Sequence, residues 1–149
     1  MIRRFLLGVS LLACAGQALA AKNIVLFIGD GMGHSVVTAA RLYYHGARGS
    51  LAVDRMTHTA LSKTYSANSV VTDSAAGGSA LATGHKVDNT VISMSSGAAL
   101  TTLAEMAKAS GKSVGIVTTT RITHATPAAF YGHVLDRGSE DDLARQLTA

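Results

Sequence analysis

Residues 23–28 read Asn-Ile-Val-Leu-Phe-Ile and end at Gly29. A short continuous apolar run closed by glycine predicts a strand buried on both faces, as in a parallel sheet. Residues 113–120, Ser-Val-Gly-Ile-Val-Thr-Thr-Thr, predict a second strong strand, and residues 60–65 a weaker one. Helical patterns fill the intervals. One follows the glycine turn at 29–33, with Ser35 as its cap, and runs to about His45, where Gly46 and Gly49 stop it. A second, rich in alanine and glycine, starts at Ser74 and continues to Ala82. A third spans 101–110 and ends at Gly111. A loop from 121 to 136 carries Pro127, the one proline of the chain. Alternating strands and helices predict an α/β layered fold with a mostly parallel sheet. No internal repeat and no low-complexity linker divides it. In such sheets functional residues gather beyond the carboxyl ends of the strands. Asp30 follows the first strand directly, His124 and Thr126 follow the second strong strand, and Ser74 opens a helix after a loop. The pattern therefore predicts these residues on one rim.

Composition changes this picture at the ends. Arg3 and Arg4 precede an apolar run from Phe5 to Ala13, and Ala18-Leu19-Ala20 has the small residues of a cleavage site. Residues 1–20 thus read as a signal peptide, since the apolar run falls far short of the roughly 20 residues that span a bilayer. Lipidation at Cys14 is the alternative, but Leu11-Leu12-Ala13-Cys14 fits a lipobox poorly. The expectation is export, to the periplasm or outside the cell, with no transmembrane segment. Cleavage removes two arginines and no acid, leaving 11 basic against 9 acidic residues, a balance of +2. Scattered charge and few aromatics argue against nucleic-acid binding. Cys14, the only cysteine, would leave with the leader, so the exported chain has no thiol chemistry. Residues 21–149 are one domain's worth of chain. They stop inside an amphipathic helical pattern at 141–149 with no capping glycine or proline, which reads as the amino-terminal part of a longer protein.

The candidate chemistry centres on Thr72-Asp73-Ser74-Ala75-Ala76-Gly77-Gly78. A serine at a helix start has free backbone N–H groups and the positive end of the helix dipole beside its oxygen, a setting suited to phosphate. The plainer reading is a serine cap on a tightly packed helix. Asp30, flanked by Gly29 and Gly31, is either a carboxylate that a metal can approach closely or an Asx-turn residue. Arg137, in Asp136-Arg137-Gly138, is either a bidentate anion clamp or a solvated loop arginine. Asp73 either orients Arg137 by an ion pair or caps the helix after it.

Four segments together resemble the alkaline phosphatase family: Ile28-Gly29-Asp30-Gly31-Met32-Gly33, Val71-Thr72-Asp73-Ser74-Ala75-Ala76, Thr123-His124-Ala125-Thr126-Pro127, and Arg137 thirteen residues past His124. Ala82-Thr83-Gly84 strengthens the match. The resemblance covers residues 21–149 but only the amino-terminal part of a family member. It implies a three-layer α/β/α fold and a phosphate monoester hydrolase with two zinc ions and one magnesium ion. Ser74 would be the nucleophile that becomes phosphoserine, and Arg137 would bind the substrate phosphate. Asp30 would bridge zinc and magnesium. His124 and Thr126 align with the magnesium segment, where some members carry aspartate in place of histidine. Magnesium prefers oxygen, so His124 would hold a bound water or favour zinc there. The remaining metal ligands of the family lie beyond its counterpart of Ala149, so residues 21–149 alone are expected to be nearly inactive. A homodimer stays open.

Other readings fit less well. Gly29, Gly31 and Gly33 do not make a dinucleotide fingerprint, which needs glycine where His34 stands. Ser74 lacks the Gly-x-Ser-x-Gly elbow of serine hydrolases. An arylsulfatase relative would need a Cys/Ser-x-Pro-x-Arg setting, and phosphodiesterase relatives use threonine. The alternative outside catalysis is a non-enzymatic exported α/β fragment that binds phosphate weakly at the Ser74 helix terminus. His34, His45, His58, His85 and His133 read as surface or loop residues, and Met32 and Met56 as core filler.

Overall fold

In a computed structural model, residues 21–148 are described. The leader at 1–20 and the lipidation alternative at Cys14 lie outside them. Five α-helices and one 3-10 helix (Ala52–Arg55) are present among the described residues, the α-helices being α1 (His34–His45), α2 (Ser74–Thr83), α3 (Leu103–Ala109), α4 (Ala125–Ala128) and α5 (Glu140–Leu147). Strands β1 (Met94–Ser95) and β2 (Ala98–Ala99) form one antiparallel hairpin, with Met94 opposite Ala99. None of these helices is long and apolar enough to cross a membrane.

The core surrounds α2 and α4. Ala75, Ala82, Ile92, Ala125, Ala128, Ala129, Val134 and Leu143 are buried together, with Phe130 and Tyr131 packed against them. Small residues make this contact close. A Cβ added at Gly78 would lie 3.1 Å from the Ala129 Cβ and 3.6 Å from the Thr126 backbone. The stretch 90–93 runs antiparallel to 133–137. Ile92 and Val134 exchange both backbone bonds, at 2.9 and 3.1 Å, and the Arg137 N–H donates to the Thr90 carbonyl at 2.8 Å. Leu143 of α5 closes the far side of the cluster and is fully buried.

Local signals account for the helix ends. Thr102 caps α3 and forms a capping box with Glu105: the hydroxyl accepts from the Glu105 N–H at 3.2 Å, and the carboxylate accepts from the Thr102 N–H at 2.7 Å. Gly84 ends α2 in the left-handed region, φ 75°, where glycine is favoured. Helix α1 departs from expectation at its start. Its N-cap is Gly33, with no side-chain cap bond, and Ser35 lies inside the first turn.

The expected strands are the main correction. Among the described residues, 23–28, 60–65 and 113–118 lie in no helix and no ladder. Ile24, Val25 and Phe27 are more than three-quarters exposed, and Val117 is 99% exposed. An apolar run shows that a segment suits a two-sided burial, but a strand exists only when neighbours complete its hydrogen bonds. Among the described residues those neighbours are absent for these runs. Met32 and Met56 are likewise exposed rather than core residues.

Candidate active site

Helix α2 aims its amino end at a cleft of about 580 Å³ lined by Asp30, Asp73, Ser74, Thr126 and Arg137 among others. Asp73 rather than Ser74 is the cap. Its Oδ1 accepts from the Ala76 N–H at 2.9 Å. Ser74 is therefore the first residue of the helix, with its hydroxyl free to face the cleft. That hydroxyl donates to Asp30 Oδ1 at 3.2 Å, and the Thr126 hydroxyl donates to Asp30 Oδ2 at 2.7 Å. Asp30 thus joins three segments across 96 positions of sequence. The Thr126 bond holds the Asp30 carboxyl below the usual carboxylate value; burial opposes this, and Ser74, His124 and Arg137 add to it in that order. Asp30 is an anion in this setting.

Asp73 performs both of the roles that its sequence left open. While Oδ1 caps α2, Oδ2 accepts from Arg137 Nη1 at 3.1 Å and from the Thr90 N–H at 3.1 Å. Arg137 Nη2 lies 3.2 Å from His124 Nε2. A guanidinium only donates, so Nε2 accepts and the ring proton sits on Nδ1. Nδ1 is buried without a protein partner. Arg137 is half-buried and anchored on two sides, and each terminal nitrogen keeps a second hydrogen for an anion. The structure thus gathers Asp30, Ser74, Thr126 and Arg137 on one cleft, with His124 in contact with Arg137 but not among the residues that line it.

Sequence reasoning passed over Asn68, Asn89 and Thr90. Asn89 accepts from the Asp73 N–H at 3.1 Å, donates to the Val71 carbonyl at 3.0 Å, and is itself held by Asn68. Thr90 has φ 72°, an unusual value for a β-branched residue, and its backbone grips both Asp73 and Arg137. Asn89-Thr90 reads locally as a turn, and nothing in that signal points 16 residues back to Asp73.

The donor chemistry bears on metal binding. Asp30, Ser74 and Thr126 offer hard oxygen atoms, which fit a share of a magnesium shell. His124, two residues before Thr126, keeps a buried Nδ1 with no partner among the described residues. A structural zinc takes four Cys, His or carboxylate ligands. Among the described residues no group of three or more His, Cys, Asp or Glu is placed to hold a metal ion.

Comparison with known proteins assigns the family. The profile of one family, described as Alkaline phosphatase, matches residues 21–149. The tissue-nonspecific alkaline phosphatase isozyme of Gallus gallus is 39% identical, over 85% of this chain and 30% of its own. The cold-active alkaline phosphatase of Shewanella sp. superposes with a TM-score of 0.75 at 36% identity, covering 80% of this chain and 32% of that one. A histidine-to-aspartate variant of the alkaline phosphatase from TAB5, described with magnesium bound in its M3 site, gives a TM-score of 0.68 at 33% identity, covering 76% and 33%. The fold class is that of α/β enzymes, and this chain belongs to the alkaline phosphatase family. It spans about a third of the length of the relatives it matches.

Proposed function

We propose that this chain carries the nucleophile and phosphate-binding half of a phosphate monoester hydrolase that works through a phosphoserine at Ser74. The observation that carries the reading is the convergence of Asp30, Ser74, Thr126 and Arg137 on one cleft at the amino end of α2. In the whole enzyme, two zinc ions and one magnesium ion would complete the site. Asp30 would be shared between zinc and magnesium, Thr126 would face magnesium, and Ser74 would face zinc. When bound, these ions supply Lewis acidity that makes a hydroxyl ionise near neutral pH and offsets phosphoryl charge. The magnesium-bound TAB5 relative supports a magnesium site in this family.

The residues of the chain act as follows. Arg137, held by Asp73 and His124, takes two oxygens of the phosphate in a fork that lysine cannot reproduce. The open N–H groups of the first turn of α2 and its dipole favour the same anion. Ser74 Oγ attacks phosphorus in line, forming the phosphoserine bond as the bond from phosphorus to the ester oxygen breaks on the opposite side; the serine proton passes to solvent and the departing alkoxide takes one up to leave as the alcohol. Water then cleaves the phosphoserine and returns Ser74. Because recognition centres on phosphate, many monoesters fit.

The segments 23–28 and 113–120 are, in this reading, strands of a mostly parallel central sheet in a three-layer α/β/α catalytic domain, with residues 21–149 as its amino-terminal part. The leader at 1–20 makes the enzyme exported, periplasmic or secreted. The test is hydrolysis of an aryl phosphate by the full-length enzyme with zinc and magnesium at alkaline pH. Ser74→Ala should lower turnover by at least about a thousandfold, the scale of losing a covalent nucleophile. Turnover within tenfold of wild type would refute the reading.

A further inference from the structure

His133 reads in sequence as a loop residue, but its ring is mostly buried at the centre of a polar network. Nδ1 lies 2.9 Å from the Ser93 carbonyl, and Nε2 lies 3.0 Å from Glu105 Oε1. A carbonyl oxygen can only accept. The Glu105 carboxyl is ionised: burial pushes its affinity for a proton up, but the Thr102 N–H and His133 outweigh this and hold it below its ordinary value. Both ring nitrogens therefore face acceptors, and a neutral imidazole can satisfy only one of them. Gln146 of α5 grips the His133 backbone on both sides, accepting from its N–H at 2.8 Å and donating to its carbonyl at 3.2 Å. Among the described residues no other ionised group bonds the ring.

We propose that His133 is a positioning residue, held as an imidazolium between Ser93 and Glu105, that fixes the segment delivering Arg137 to the phosphate. The inference rests on the reading of Arg137 as the phosphate clamp. The physical link is continuous. Ser93, at φ 45° and fully buried, donates its hydroxyl to the Ala129 carbonyl at 2.6 Å and its N–H to the Ser79 hydroxyl of α2 at 2.7 Å. Ile92 pairs with Val134, and Thr90 with Arg137. His133 thus closes one end of a two-stranded clasp whose other end is Arg137. Glu105 is itself held by the α3 cap, and the Thr102 hydroxyl donates to the Phe130 carbonyl at 2.8 Å. A cation at His133 ties α3, the Ser93 bend and the Arg137 strand into one unit. Removing either ring bond frees the clasp, leaving the Ser93 carbonyl to the Leu100 N–H and the part-exposed Glu105 carboxylate to the Thr102 N–H.

Two variants separate the two bonds. His133→Asn keeps a donor near the Nδ1 position, and His133→Gln keeps one near Nε2. In the full-length enzyme both should raise KM for an aryl phosphate and the inhibition constant for inorganic phosphate by roughly fivefold or more, within the range by which residues outside a site shift binding to it. Turnover at saturation should change much less. Arg137→Ala is the control: if it leaves phosphate inhibition unchanged, the clamp reading fails rather than this one. Nitrogen NMR of the wild-type enzyme labelled at histidine gives a second readout that needs no activity and no folded variant. Two protonated ring nitrogens at His133 at neutral pH are expected. A single protonated nitrogen there, or unchanged phosphate affinity in both folded variants while Arg137→Ala loses it, would overturn the proposal.

Discussion

Asp73→Asn separates two jobs that one carboxylate does at once. An asparagine keeps one oxygen, which can still cap α2 at the Ala76 N–H. Its amide nitrogen then faces two donors, the Thr90 N–H and Arg137 Nη1, where the native Oδ2 accepts from both at 3.1 Å. Turning the amide over would restore those bonds and lose the cap. A hydrogen bond to a charged group contributes about 1.5–3 kcal/mol, and an unpaired backbone donor costs about 1–3. The side chains are about a quarter exposed, 28% for Arg137 and 24% for Asp73, so solvent screens part of this. The expected loss is about 2 kcal/mol, near a thirtyfold change in the unfolding equilibrium. Asp73→Ala also loses the cap and should cost about 1 kcal/mol more. Urea unfolding of the full-length enzyme measures both, and inhibition by inorganic phosphate reports the loosened Arg137. Stability within about 0.5 kcal/mol of wild type, together with unchanged phosphate inhibition, would refute the view that Asp73 organises this site.

Other outcomes follow from the same geometry. Gly78→Val should drive a side chain into Ala129 and Thr126, costing about 1–3 kcal/mol as overpacking does, and should lower activity by displacing Thr126; thermal unfolding and turnover check it. Glu140 is held at about 2 by Arg121 and by the Thr123 hydroxyl. A depressed carboxylate stabilises the fold above its unfolded value near 4.5 and loses that contribution as pH falls toward 2. Urea unfolding between these limits should fall less steeply with acid in Glu140→Gln than in wild type, and identical slopes would contradict the assignment. Residues 21–149 expressed alone with zinc and magnesium should show no metal-dependent hydrolysis, because among the described residues no three metal-binding side chains cluster; turnover within tenfold of the full-length enzyme would disprove this.

Asp30, Ser74, Thr126 and Arg137, singled out by their chemistry, line one cleft, because each sits beside a local signal that survives without tertiary context. Ser74 starts a helix whose small residues admit α4, and Asp30 lies between glycines that let it reach both Ser74 and Thr126. The strands were less legible. Residues 24–27 have the composition of a buried strand, but composition does not name the neighbours that complete a ladder. His133 was missed because its partners lie 28 and 40 residues away, and no short pattern encodes them. Asp73 showed two possible roles in sequence; the second carboxylate oxygen let it take both. The cap of α1 was misplaced by two residues, since Ser35 has the right chemistry but Gly33 has the extended backbone, ψ 173°, that a cap needs.

The claim at the centre of this account is that Ser74 carries the phosphoryl group. Incubating the full-length enzyme with labelled inorganic phosphate, quenching in acid and mapping the labelled peptide tests it directly. The label should appear on Ser74, should be absent from Ser74→Ala, and should diminish in Arg137→Ala. Label on any other residue, or label that persists in Ser74→Ala, would contradict it.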